Sequence, residues 1–112
     1  MIGDHLIFDQ GKAAINSKSF PSLEELTAMM KDNPKLVIQL EGHTDSQGNA
    51  KKNMELSQDR VENVKKYLVS KGVDKDRIKT KAFGGTKPIL TKDSEEARAR
   101  NRRVEMRVLK DK

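Results

Sequence analysis

The chain has 112 residues, the size of one ordinary domain, of which 36% are charged and 34% apolar. The net charge of +6 is compatible with an anionic polymer, a nucleic acid or a membrane surface as the partner. The charge alone does not distinguish these three classes of partner. The lack of cysteine excludes a disulfide framework, a thiolate metal site and a cysteine nucleophile, and no apolar run approaches the roughly 20 residues of a membrane-spanning helix.

Hydrophobic periodicity divides the chain into strands, where apolar residues alternate, and helices, where they recur every three or four positions. The predicted elements are a strand over 6–9, a helix over 23–32, a strand over 36–40, a helix over 50–71, a strand over 77–82, a short helix ending near 100 and a strand over 104–108. This order predicts an α+β fold, a two-layer α/β sandwich of βαβαβ(α)β type with the helices on one face of a small mixed sheet. We interpret residues 1–112 as a single domain, in which residues 1–5 are linker or expression residues.

Short motifs mark the ends of the predicted helices. Ser22–Glu25 has the spacing of a capping box, which predicts that the first helix begins at Leu23. Gly72 follows the second helix, where a left-handed C-terminal cap is expected. The third helix could be capped by Asp93-Ser94.

The C-terminal segment combines a basic cluster with an alternating strand. The alternation predicts that three residues of the strand face the core, namely Val104, Met106 and Val108. The intervening residues are predicted to face solvent, namely Arg103, Glu105 and Arg107. The arginines over 98–103 fit a solvated face or local pairing with Glu95, Glu96 and Glu105. A nucleic-acid surface is the alternative, but it would need aromatic stacking partners or a recognition motif, and neither is visible.

The densest polar cluster, Gly42–Asp45, follows the second predicted strand. Loops at strand ends are common binding sites, although a plain turn with Asp45 capping backbone N–H groups explains the same residues. A metal site would need more ligands than His43 and Asp45, since the other histidine is His5 and no metal-binding spacing is present. No G-x-S-x-G elbow occurs either, so we predict no metal, no cofactor and no catalytic residue.

Arg60 is unusual because it lies beside the apolar stripe of the second predicted helix. It could be a snorkelling arginine whose stem packs on the edge of the core. Alternatively, Arg60 and Asp45 could form the two halves of a clamp for a zwitterion, which needs one acceptor and one planar donor fork. Sequence spacing alone does not show that the two residues meet.

Several motifs follow one another in order along nearly the whole chain, from Leu6 to Leu109. They are Gly42-His43-Thr44-Asp45, Gly48, Asn53-x-x-Leu56-Ser57-x-x-Arg60, Gly72-Val73, Arg77-Ile78, Phe83-Gly84 with Pro88, and Asn101-Arg102-Arg103-Val104-Glu105. Together they resemble the OmpA-like domain family of peptidoglycan-binding proteins, which includes the Pal lipoproteins and the MotB stator proteins. Because the match consists of several motifs in the right order, it is more specific than any single motif.

The resemblance implies non-catalytic binding of the peptide stem of peptidoglycan. By this match, Asp45 and Arg60 hold the diaminopimelate residue. Neighbouring pocket positions are matched by Thr44, Asn53, Leu56 and, after the first strand, Asp9. The side chain of diaminopimelate ends in a zwitterion, whereas lysine lacks the second carboxylate, so the pair would discriminate between the two wall chemistries. We expect Asp45 and Arg60 to be partly exposed in the free protein.

The resemblance also implies a place in the cell envelope and a partner. The expected partner is peptidoglycan, and the expected location is the periplasmic face of the envelope, with the full-length protein attached to the outer membrane. Any membrane attachment is expected from a region outside this sequence, such as a lipid anchor, a barrel or a stator helix. We expect a monomer without nucleic-acid binding. The rival functions are a nucleic-acid-binding domain, which rests on charge alone, and a wall-acting enzyme, which rests on Asp45 with His43.

Overall fold

A computed structural model describes residues 6–9, 11–88 and 94–110, and these residues contain four strands and three α-helices. In chain order they are β1 (Leu6–Ile7), α1 (Phe20–Asp32), β2 (Val37–His43), α2 (Ala50–Ser70), β3 (Ile78–Gly84), α3 (Glu95–Asn101) and β4 (Arg103–Lys110). Single turns of 3-10 helix precede α1 and β3, over Ser17–Ser19 and Lys75–Arg77. Residues 1–5 and Asp93, which we interpreted as a linker and part of a helix cap, lie outside the described residues.

The four strands form one mixed sheet in the order β1-β4-β2-β3. β2 is parallel to β3, because α2 connects them as a crossover, and β4 is antiparallel to both β1 and β2. The ends of β2 and β3 therefore meet the start of β4 at one edge of the sheet. The predicted α+β class with a small mixed sheet is confirmed.

The core lies between the sheet and the helices α1 and α2. The predicted stripe of α2 is fully buried, as are the apolar residues that recur along α1. The buried residues of the two helices are Leu23, Leu26, Met30, Val61, Val64 and Leu68. They pack against strand residues Leu6, Ile38, Leu40, Ile78 and Val104. Among the described residues, no helix combines the length and the apolar character needed to cross a bilayer.

The predicted start of α1 is wrong. The helix begins at Phe20, with Pro21 in its first turn, where the missing N–H costs no hydrogen bond. Ser22 therefore lies inside the helix and is not its cap. Ser19 precedes the helix and makes no capping bond; its hydroxyl instead accepts a hydrogen bond from the Ile7 N–H at 3.0 Å. This bond ties the start of α1 to β1.

The predicted ends of α2 and α3 agree with the structure. After Lys71 closes α2, Gly72 adopts a left-handed φ of 99°, as expected for this cap position. Ser94 caps α3, because its hydroxyl accepts a hydrogen bond from the Ala97 N–H at 3.2 Å.

The predicted alternation of the last strand is wrong at both ends. Arg103 is buried, because its guanidinium donates to the carbonyl oxygens of Asn101 and Lys87 and to the Glu105 carboxylate. Val108, predicted to face the core, is 47% exposed near the far end of β4. Burial along β4 therefore declines from its first residue to its last. The strand does not keep one buried face and one exposed face along its whole length.

Candidate functional site

The start of α2 lies directly on the ends of β2 and β3. A Cβ atom at Gly42 would lie only 2.3 Å from the Ser57 carbonyl oxygen, so only glycine allows this approach. The Ser57 hydroxyl accepts a hydrogen bond from the Gly84 N–H at 3.0 Å. These two contacts fix the helix against both strands. They also bring Arg60, one turn after Ser57, next to the end of β2.

Arg60 is fully buried and ties three segments together. Its Nε donates to the Lys12 carbonyl at 2.9 Å, its Nη1 to the His43 carbonyl at 3.0 Å, and its Nη2 to the Asp9 carbonyl at 2.9 Å. The guanidinium carbon also lies 5.0 Å from the centre of the Phe8 ring, within the range of a cation–π contact. Arg60 therefore holds the loop after β1 against the end of β2.

The expectation that Arg60 would be partly exposed is wrong. The N–H groups of the guanidinium point in different directions, and three of them donate to backbone carbonyls. These hydrogen bonds compensate for the removal of the charge from water. Burial and the nearby Arg102 lower the pKa of Arg60 to about 10, whereas Asp45 and Asp9 act in the opposite direction. The guanidinium therefore remains positively charged at neutral pH.

Asp45 is also buried, contrary to expectation, and its two carboxylate oxygens have different partners. Oδ1 accepts a hydrogen bond from the Gln47 N–H at 3.0 Å, as a turn-capping aspartate would. Oδ2 lies 3.4 Å from Nη1 of Arg102. Asp45 therefore caps its turn, and its direct cationic partner is Arg102. The positive charge of Arg60 also attracts the Asp45 carboxylate from nearby.

Arg102 lies beside Asp45, although it was not among the predicted ligand-binding residues. Its Nε donates to the Phe8 carbonyl at 3.2 Å, and its Nη2 donates to Oε1 of Glu95 at 2.9 Å. Of the alternatives left open for the basic cluster, this contact is an example of local pairing with a nearby glutamate. The contact with Asp45 was missed, although Arg102 belongs to one of the motifs that carry the family resemblance.

Two of the other predicted site residues organise the loop after β2. The buried Thr44 donates through its N–H to the Gly84 carbonyl at 2.9 Å and through its hydroxyl to the Asp45 carbonyl at 2.7 Å. Nδ2 of Asn53 donates to the Gln47 carbonyl at 2.8 Å and, more weakly, to the Asp45 carbonyl at 3.4 Å. These bonds hold the loop that carries the Asp45 carboxylate.

Leu56 and Asp9 flank this arrangement. Leu56 is half-buried on α2, one turn before Arg60. Asp9 is exposed after β1, and its side chain accepts a hydrogen bond from Nδ2 of Asn16 at 3.0 Å. Since the Asp9 carbonyl also accepts from Arg60, the residue is attached to the site through its backbone.

The site therefore places charges of both signs at one end of the sheet. Two buried guanidinium groups, Arg60 and Arg102, lie close to the buried carboxylate of Asp45. The pKa of the Glu95 carboxyl lies below its ordinary value, first because of its hydrogen bond from Arg102 and further because of the Arg102 charge. Such an arrangement can receive a ligand that carries both an ammonium and a carboxylate.

A second charged group, missed by the sequence analysis, lies on the sheet itself. Glu41, His43 and Glu105 hold their potential ligand atoms within 4.8 Å of one another, since Glu41 pairs with Glu105 across β2 and β4. Arg107 contacts the Glu41 carboxylate at 3.2 Å, and Arg103 donates to Glu105. A metal ion would have to compete with these guanidinium groups, so we interpret the group as an ion-pair network.

A groove of about 340 Å³ lies between α1 and α2, away from these charges. It is lined by Glu24, Thr27, Ala28, Lys31, Tyr67 and Lys71. None of the predicted site residues contributes to it. The predicted site residues instead gather at the sheet edge.

Comparison with known proteins identifies the family to which this chain is similar. The OmpA family model matches residues 7–102. The chain is 38% identical over 101 residues to the peptidoglycan-associated lipoprotein of Buchnera aphidicola, covering 90% of this chain and 58% of the relative. It is 38% identical over 102 residues to outer membrane protein A of Bordetella avium, covering 91% and 53%. The chain thus spans about half the length of these curated relatives.

Solved structures show the same fold. The crystal structure of the peptidoglycan-associated lipoprotein from Burkholderia pseudomallei superimposes with a TM-score of 0.89 at 26% sequence identity. The alignment covers 93% of this chain and 88% of that chain. The sheet and helices described above are therefore those of a known fold.

Proposed function

The chain belongs to the OmpA family, and we propose that it binds the peptide stem of peptidoglycan without catalysing a reaction on it. The relative from Buchnera aphidicola is named for its association with peptidoglycan, and it matches 90% of this chain. The observation that carries the proposal is the buried Asp45 carboxylate, held beside two guanidinium groups at the edge of the sheet. This arrangement fits a zwitterionic ligand.

The proposed ligand group is the side-chain end of diaminopimelate. Asp45 accepts hydrogen bonds from its ammonium, while Arg60 and Arg102 provide the positive charge that its carboxylate requires. Three of the five N–H groups of Arg60 are used by backbone carbonyls, which leaves one on each terminal nitrogen. The surrounding positions are Thr44, Asn53, Leu56 and Asp9. A lysine-containing stem lacks this carboxylate and cannot make the contact with the two cations.

The proposed role in the cell is to anchor an envelope protein to the wall. The two curated relatives are named as a lipoprotein and an outer-membrane protein. We place the domain on the periplasmic face, with the outer membrane reached through other parts of the full-length protein. Peptidoglycan is then the partner of this domain itself.

The basic cluster offers little support for the nucleic-acid alternative. Arg102 is engaged by Asp45, Glu95 and a backbone carbonyl, and Arg103 is buried with partners of its own. With side chains only 9% and 4% exposed, these two arginines do not form the open basic surface that a nucleic-acid backbone would follow. Arg98 and Arg100 contact the glutamates of α3.

The test is co-sedimentation with purified wall sacculi. The protein is expected to sediment with diaminopimelate-type sacculi, to be released by free meso-diaminopimelate, and to bind lysine-type sacculi far more weakly. Equal binding to both wall types would retain a wall-binding domain but reject the diaminopimelate clamp. The absence of binding to either wall would reject the proposed function, and the release of soluble fragments would indicate an enzyme.

A further inference from the structure

Arg102 lies between two carboxylates that differ greatly in exposure. The Asp45 side chain is 8% exposed and lies 3.4 Å from Nη1 of Arg102. The Glu95 side chain is 61% exposed and accepts a hydrogen bond from Nη2 at 2.9 Å. Among the described residues, Nη1 of Arg102 thus meets a buried carboxylate and Nη2 an exposed one.

We propose that Glu95 occupies the edge of Arg102 that receives the carboxylate of the ligand, so that Glu95 must leave before the ligand can bind. The inference rests on the proposed function, since it concerns the same peptidoglycan site. It makes Glu95 an internal competitor that weakens binding to the wall.

Of the two carboxylates around Arg102, Glu95 is the one that can move. Asp45 is buried and held by a hydrogen bond from the Gln47 N–H. Glu95 is the first residue of the seven-residue helix α3, and its side chain is 61% exposed; besides Arg102 it contacts Arg98, at 3.4 Å on the same helix. An ion pair with one exposed partner contributes little stability, because water replaces the lost contact.

Arg102 is also better suited than Arg60 to receive an incoming carboxylate. Arg60 is fully buried and donates to three backbone carbonyls. Arg102 uses Nε on the Phe8 carbonyl, which fixes its orientation, and directs Nη2 toward the exposed Glu95. A ligand carboxylate that replaces Glu95 makes the same charge-assisted hydrogen bond, so that Arg102 is never left without a partner.

The contact between Glu95 and Arg102 therefore lowers the affinity of the site for its ligand. Every binding event includes the loss of the contact between Glu95 and Arg102, so the observed affinity is lower than that of the open site by the strength of this contact. Removing Glu95 should therefore tighten the binding of a carboxylate-bearing ligand. It should not affect a ligand that does not reach Arg102.

The experiment measures the affinity of a soluble diaminopimelate-containing muropeptide by calorimetry. Glu95→Gln is expected to bind about two- to fivefold more tightly than the parent, since an exposed ion pair of this kind has that strength. Glu95→Asp keeps the charge but shortens the side chain, and should also bind more tightly. Glu96→Gln is the matched control, because it makes the same change of charge on α3, and within the described part of the chain the ion pair of Glu96 is with the exposed Arg100, at 3.9 Å.

The outcomes separate this inference from the proposed function. If the parent binds and Glu95→Gln behaves like Glu96→Gln, the competitor is rejected and the wall-binding function stands. If Glu95→Gln binds more weakly than the parent, Glu95 contacts the ligand directly and the inference is overturned. If neither the parent nor any variant binds the muropeptide, both the inference and the proposed function fail. Thermal unfolding of each variant confirms that a folded protein was measured.

Discussion

Nη1 of Arg102 lies 3.4 Å from Oδ2 of Asp45, and the two side chains are only 9% and 8% exposed. Arg102 stands between α3 and β4, whereas Asp45 follows β2. Because Arg102 also donates to the Phe8 carbonyl, it joins three segments that are distant along the chain. The geometry of the candidate site therefore depends on the same contacts that hold this edge of the fold together.

The substitution Asp45→Asn should weaken both binding and folding. An amide cannot balance the charge of a ligand ammonium, and the loss of a buried charge partner costs on the order of 2–5 kcal/mol of binding free energy. The unfolding free energy should fall by about 1–3 kcal/mol, because Arg102 loses one of its carboxylates. Sacculus co-sedimentation and thermal unfolding measure the two effects.

Asp59→Asn is the control, since Asp59 is exposed on α2 and makes the same change of charge. It should bind the wall like the parent. If Asp45→Asn binds as well as Asp59→Asn, Asp45 only caps its turn, and the functional assignment rests on family membership alone.

The substitution Arg60→Lys should destabilise the fold despite keeping the positive charge. A lysine ammonium cannot reach three divergent carbonyls as the guanidinium does, so at least two hydrogen bonds to a charged donor are lost. We expect the unfolding free energy to fall by about 3 kcal/mol or more, measured by denaturant titration.

Arg100→Lys provides the comparison, because Arg100 is exposed on α3 and should change the unfolding free energy by less than about 0.5 kcal/mol. An Arg60→Lys protein as stable as this control would show that the carbonyl contacts contribute little. Wall binding by Arg60 variants is informative only under conditions in which they remain folded.

The substitution Gly42→Ala should displace α2 from the sheet. The new methyl group would lie 2.3 Å from the Ser57 carbonyl oxygen, and such overpacking costs about 1–3 kcal/mol. Because Arg60 follows Ser57 by one turn, wall binding should fall together with stability. Chemical denaturation and co-sedimentation detect the two losses.

Gly72→Ala separates stability from binding. Gly72 has a φ of 99°, so alanine is strained there by about 1–2 kcal/mol, but the residue lies at the opposite end of α2. This variant should lose stability and keep wall binding. A Gly42→Ala protein that does the same would argue that α2 does not position the site.

The contact between Glu95 and Arg102 should contribute to stability only above acidic pH. The folded protein holds the pKa of Glu95 below its ordinary value of 4.5, through the hydrogen bond from Arg102. A lowered carboxyl pKa means that the contribution is fully present above the unfolded value and is lost as the pH falls through the folded value. Denaturation should show a larger stability advantage of the parent over Glu95→Gln at pH 7 than at pH 3. An equal difference at both values would contradict this.

Local patterns in the sequence were sufficient to predict most secondary structure. The stripe of Val61, Val64 and Leu68 predicted a helix with one buried face, and all three residues are buried. Gly72 predicted the end of that helix. The start of α1 was not predictable in the same way, because a capping-box spacing at Ser22 competed with Pro21, and the proline fits the first helical turn.

The sequence by itself determined the order of the elements, the apolar faces of the helices and the motifs that place the chain in its family. Only the tertiary structure decided what the charged residues do. Arg60 contacts the Asp9 carbonyl 51 positions away, and Arg102 contacts the Phe8 carbonyl 94 positions away. These partners meet because β4 lies between β1 and β2, and local periodicity carries no information about strand order. The burial of Asp45 and Arg60 follows from that order.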